Sequence, residues 1–126
     1  MEIGSIILEQ LKANSTQIRL RCQKMKIVTH PEVENLQLER VLHALSDPVR
    51  LKLVRMLAAE RDLSCGALCM GRPKSSMSHH FKTMIDAGLL RVHVAGNVHL
   101  NNLRLDDLES RFPGLMTAVL EATARP

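Results

Sequence analysis

The 126-residue chain is 45% hydrophobic with a formal net charge of +4, enough apolar content for the core of one small domain. Two phenylalanines, with no tryptophan or tyrosine, leave that core to aliphatic side chains and methionine. The charge total is too ordinary to name a partner, and the apolar run from Ile3 to Leu11, broken by Glu9 and followed by Lys12, is too short for a signal peptide or membrane span.

In chain order, residues 1–24 carry a helical rhythm in Ile3, Ile6, Ile7 and Leu11. Val33, Leu36, Val41, Leu42 and Leu45 suit a first amphipathic helix. Ser46-Asp47-Pro48 ends it and starts the next, with Asp47 as cap and Pro48 in the first turn. Val49, Leu53, Val54 and Leu57 then face the core. Asp62 to Cys69 reads as a short helix, and Met70-Gly71-Arg72-Pro73 is a breaker cluster that turns the chain.

The stretch from Pro73 to Leu90 is the most informative. Met77, Phe81, Met84 and Ile85 recur at the spacing of one helical face, while Ser75, Ser76, Ser78, His79, Lys82 and Asp86 fall mostly elsewhere. The serines after Pro73 are candidate caps for the first turn, and Gly88 a left-handed stop. The front half carries Lys74, three serines and histidine without an acid, a chemistry suited to phosphates and base edges. Taken alone, the pattern also fits a solvated amphipathic helix with a basic cap.

A hairpin pattern comes directly after this helix: Leu90 to Val94 alternates, Ala95-Gly96-Asn97 turns, and Val98 to Leu105 resumes the β pattern. Beside such a helix, two strands can bring Arg91, His93, Asn97, His99 or Arg104 to a DNA backbone or minor groove. Asp106-Asp107 then begins a short helical turn, Phe112-Pro113-Gly114 interrupts it, and Leu115, Met116, Val119 and Leu120 form a last apolar stripe. The fold class is therefore mainly α with a small β-hairpin.

Charge is distributed along the same map. From Arg50 to Arg104 nine lysines and arginines stand against three acids, +6, whereas from Leu105 onward two stand against four, −2. Basic charge concentrated on the helix-turn-helix-hairpin unit would release counterions from DNA and make affinity fall with salt.

The ordered set Leu42-His43-Ala44-Leu45-Ser46-Asp47-Pro48-Val49-Arg50-Leu51, Ser76-Met77-Ser78-His79-His80-Phe81-Lys82 and Asp86-Ala87-Gly88-Leu89-Leu90 resembles the ArsR/SmtB (arsenic-repressor-like) family of winged helix-turn-helix regulators, from about Leu36 to Ala122. The resemblance implies the order α-α-α-α-β-β-α, pairing through the terminal helices, and a cytoplasmic homodimeric repressor on an inverted-repeat operator. From periodicity alone the terminal helices are equally core. Carried over residue by residue, it implies base or phosphate contacts from Lys74, Ser75, Ser78 and His79 and backbone contacts from Ser76 and Lys82; of the hairpin candidates, Arg91 and Asn97 are the expected wing contacts. Many relatives have glutamine at Lys74, so base preference does not transfer, and His80 is expected to pack at the helix edge. Met25 resembles a family start, which makes residues 1–24 an extension, either a misassigned start or an added helix, and 25–126 the DNA-binding and dimerisation domain.

The family's metal chemistry does not carry over. Ser64 and Gly66 stand where a Cys-x-Cys pair would bind soft metals, and no histidine follows His99 to build the alternative site. No metal or other cofactor is expected. Cys65 and Cys69, four apart, are a candidate thiol pair for soft metals, arsenicals or oxidants, although free cysteine is commonly just buried. A winged helix used only for protein interaction is a further alternative. Catalysis is not expected: nothing resembles a nucleophile elbow, a phosphate-binding glycine loop or a zinc-protease helix, and capping explains Asp106-Asp107 better than acid–base work.

Overall fold

The computed structural model describes residues 28–125. The expectations for residues 1–24 and Met25 lie outside them. A single 3-10 turn, Val33–Asn35, precedes α1 (Leu38–Leu45) and α2 (Pro48–Ala59). A two-residue strand β1 (Leu63–Ser64) leads into the one-turn α3 (Cys65–Leu68), followed by α4 (Lys74–Ala87). The hairpin β2 (Leu90–Ala95) and β3 (Val98–Leu103) comes next, then α5 (Leu105–Arg111) and α6 (Leu115–Ala124).

Helix α1 is shorter and differently phased than the apolar pattern suggests. It begins at Leu38, so Val41, Ala44 and Leu45 take the core face and Leu42 points outward, with Leu38 one turn before it. At the α1–α2 elbow the expected cap forms: the Asp47 carboxylate accepts from the amides of Val49 at 2.8 Å and Arg50 at 3.1 Å, with Pro48 at the first helical position. Leu53, Val54 and Leu57 are buried, while Val49 is only partly so.

The stretch from Asp62 to Cys69 corrects the single-helix expectation. Leu63 and Ser64 pair antiparallel with Asn101 and Leu100, making a three-stranded sheet of order β1-β3-β2, and only Cys65–Leu68 is helical. The Ser64 hydroxyl accepts from the Ala67 amide at 3.1 Å and so starts that turn. The hairpin runs in register from Leu90 opposite Leu103 to Ala95 opposite Val98, leaving the two-residue turn Gly96-Asn97.

Helix α4 buries Met77, Phe81, Met84, Ile85 and Ala87. Its start differs from expectation: Pro73 is the cap residue and no serine side chain caps it; instead the Ser76 hydroxyl donates back to the Pro73 carbonyl at 3.1 Å. Its end is the expected glycine, Gly88 at φ +92°, with the Leu89 amide returning to the Met84 carbonyl at 2.9 Å. The core built around α4 is aliphatic and methionine-rich, with Leu36, Leu53, Leu68, Leu89, Leu90 and Leu108 fully enclosed and Phe81 its largest member. Among the described residues no helix is long and apolar enough to cross a membrane.

Candidate nucleic-acid interface

Because one face of α4 is locked in the core, the opposite face is forced outward. Ser75, His79 and Lys82 lie along it, about one turn apart, with Lys74 and Ser78 on its border with the core face. Lys74, Ser75, His79 and Lys82 are exposed and Ser78 is half-buried. Ser76 is exposed on the flank, its hydroxyl turned back to Pro73. No acid sits in the first turn, so the positive end of the helix dipole and the Lys74 ammonium act together there. Lys82 is within 3.1 Å of Asp86, one turn on, an exposed pair that a phosphate could displace cheaply.

The wing candidates divide by position. Asn97 is exposed at the hairpin tip. Arg91 sits at the opposite end of β2, half-exposed, with Nη2 3.3 Å from Asp107. His93 is exposed and 3.7 Å from Asp62, a left-handed residue (φ +56°) braced by reciprocal hydrogen bonds with Asn102. His99 is half-buried, and that burial holds its imidazole below the ordinary value.

Arg104 departs from the expected wing role. It is 5% exposed, its amide donates to the Leu89 carbonyl, and its Nε meets Asp107 at 2.9 Å, so it ties the wing to α5 rather than facing a groove. Asp107 is accordingly an ion-pair partner, not a cap. Burial raises its carboxyl, but the guanidinium of Arg104, with Arg91 behind it, outweighs burial and leaves it below the usual carboxylate range. Arg50 and Arg104 are the two buried members of the basic stretch. Lys52, Arg55, Arg61, Arg72, Lys74, Lys82 and Arg91 supply its exposed charge.

The Arg50 network has no counterpart among the sequence expectations. Its guanidinium, 7% exposed, donates from Nε to the Ala44 carbonyl at 2.7 Å and from Nη2 to the His43 carbonyl at 3.3 Å, closing the last turn of α1. Its Nη1 lies 3.0 Å from Nδ1 of His80 on α4. The available signal is position: Arg50 stands three and four residues before Leu53 and Val54, on the buried stripe of α2. His30 is likewise absent from those expectations; its Nε2 accepts the Val92 amide at 3.0 Å on the outer edge of β2.

Cys65 is buried and Cys69 half-buried, and neither forms a disulfide. They bracket the single turn of α3, and the Asn101 amide group lies 3.6 Å from the Cys65 sulfur. Among the described residues no three histidine, cysteine or acidic side chains come together to hold a metal.

Known proteins align with this arrangement. Residues 45–93 match the model of a helix-turn-helix domain family. An uncharacterized HTH-type transcriptional regulator of Bacillus subtilis is 33% identical over 81 residues, covering 61% of this chain and 80% of its own length. The arsenical resistance operon repressor of Staphylococcus xylosus is 31% identical over 80 residues, 58% of this chain and 71% of its own. Among solved structures, an ArsR family transcriptional regulator superposes with a TM-score of 0.54 at 19% identity over 71% of this chain and 98% of its own. A predicted DNA-binding transcriptional regulator from E. coli gives 0.51 at 23% over 88% and 98%.

Proposed function

Since the chain belongs to the ArsR family of winged helix-turn-helix, DNA-binding transcriptional regulators, we propose that it is a cytoplasmic homodimeric repressor that reads an inverted-repeat operator through two copies of α4. In this reading Lys74, Ser75, Ser78 and His79 reach base edges and adjacent phosphates, Ser76 and Lys82 hold the DNA backbone, Asn97 at the wing tip approaches the minor groove, and Arg91 meets a flanking phosphate. The observation that carries it is the exposed polar stripe on α4, opposite a face held immobile by Met77, Phe81, Met84 and Ile85.

Pairing is supported by apolar surface on the first and last helices. Leu38 and Leu42 are 44% and 47% exposed on α1, and Leu115, Val119 and Leu120 are only partly covered on α6. The test is selection of duplexes from a randomised pool. The expected product contains a repeated half-site, sedimentation gives a dimer, and Lys74→Ala and His79→Ala each weaken binding about tenfold with unchanged melting. A monomer in solution, or variants that bind as tightly as the parent, would defeat the reading.

Similarity to the arsenical resistance operon repressor of Staphylococcus xylosus favours a second reading on the same fold, in which Cys65 and Cys69 together bind a trivalent arsenical and release DNA. Arsenite should then weaken binding of the selected duplex, and Cys65→Ser with Cys69→Ser should abolish the response without changing affinity. Arsenite-insensitive binding by the unsubstituted protein would exclude it.

A further inference from the structure

Arginine carries only donors, so the contact of Arg50 Nη1 with His80 Nδ1 at 3.0 Å requires a lone pair on Nδ1 and the ring proton on Nε2. The same guanidinium grips two carbonyls of α1, and its own residue lies in the first turn of α2. One buried side chain thus links α1, α2 and the middle of α4. His80 is next to His79, with ring centroids 6.1 Å apart, and its side chain is 15% exposed.

We propose that Arg50, acting through His80, is a positioning residue that fixes the rotation of α4 for DNA reading, and that full operator affinity requires His80 to be the neutral Nε2–H tautomer. The proposal rests on α4 being the DNA-reading helix. A proton on Nδ1 would remove the acceptor and set an imidazolium against a guanidinium at the present separation. The charged groups around His80 come from three places: Asp47 at the α1–α2 elbow with Oδ2 at 3.9 Å, Arg50 on α2 and Arg72 before α4, joined by His79 on its own helix. Asp47 alone favours the charged ring, but its Oδ2 already accepts the amides of Val49 and Arg50. Burial first, then Arg50, His79 and Arg72, outweigh it and hold His80 below the ordinary histidine value.

Asparagine at position 80 isolates the contribution of His80, since its side-chain oxygen can replace Nδ1 as acceptor without titrating.

The probe is the duplex selected from a randomised pool by the unsubstituted protein, titrated by fluorescence anisotropy from about pH 7.5 down to the pH at which nitrogen-15 spectra show His80 doubly protonated. His80→Ala should bind about tenfold more weakly at the higher pH, and His80→Asn should stay within about threefold of the parent. On acidification the parent should lose affinity relative to His80→Asn. Nitrogen-15 spectra of the unsubstituted protein, which need no variant to fold, should show His80 protonated at Nε2 and bare at Nδ1.

An Nδ1–H tautomer, or a parent-to-asparagine affinity ratio constant with pH, overturns the proposal while leaving the DNA-reading role of α4 intact. Failure of the parent to select any duplex removes both.

Discussion

Gly88 is where the end of α4, the turn into the wing and the core meet, and Gly88→Ala is the sharpest probe of that junction. At φ +92° the residue is left-handed, which costs any residue with a Cβ about 1–2 kcal/mol. A Cβ built there overlaps the Leu36 Cδ2 atom and lies 3.3 Å and 3.5 Å from its Cγ and Cδ1. Leu36 is 1% exposed, so it cannot swing into solvent without leaving the core, and overpacking of this kind costs about 1–3 kcal/mol. The sum is about 2–5 kcal/mol, a drop in melting temperature of roughly 8–20 °C for a domain of this size. Circular dichroism melts and urea titrations of Gly88→Ala and Gly88→Asn read this out. Asparagine tolerates the left-handed backbone but keeps the Cβ, so it should recover only part of the loss. A Gly88→Asn protein as stable as the parent would refute the Leu36 argument, and an unperturbed Gly88→Ala protein would refute both terms.

Removing the Asp47 cap in Asp47→Ala should cost about 1–2 kcal/mol in urea titrations, because two first-turn amides of α2 lose their acceptor. Although burial raises the Asp47 carboxyl, the amides of Arg50 and Val49 and the nearby Arg50 charge bring it below its ordinary value. Its contribution is therefore complete above the unfolded value of about 3.9 and lost as pH falls through the lower folded value, so Asp47→Ala should flatten the acid limb of a stability–pH profile. His30 is likewise held low, by burial first and then by Arg91 and Arg104, while its neutral Nε2 accepts the Val92 amide. The unfolded ring binds a proton more readily, so stability should decline as pH drops below about 6.5, and His30→Gln should lessen that decline. An equal decline in the variant would assign the effect to other groups.

Those elements that rest on local chemistry are legible in the residues themselves. The apolar face of α4, its glycine stop, the Asp47-Pro48 start of α2 and the Gly96-Asn97 turn all arise from side chains acting within a few residues of themselves. The illegible parts depend on distant partners. Leu63 and Ser64 are a strand only because β3 lies alongside, and nothing in Asp62 to Cys69 announces that pairing. Leu42 reads as core when the helix phase is set from Val33; small Ala44 holds the inner position instead. Arg50 and Arg104 count as surface charge until their acceptors, backbone carbonyls of α1 and the carboxylate of α5, are brought to them by the fold. The exposed α4 stripe is readable as a chemistry, but the network beneath it that fixes its orientation is not.

Everything functional rests on the outward stripe of α4 being the surface that meets DNA, and amide shift mapping of the full chain, titrated with its selected duplex, decides whether it is. The largest changes are expected over residues 74–82, with a second group at Gly96 and Asn97 and little change in α6. Changes concentrated on α1 and α6, with residues 74–82 unmoved, would contradict it.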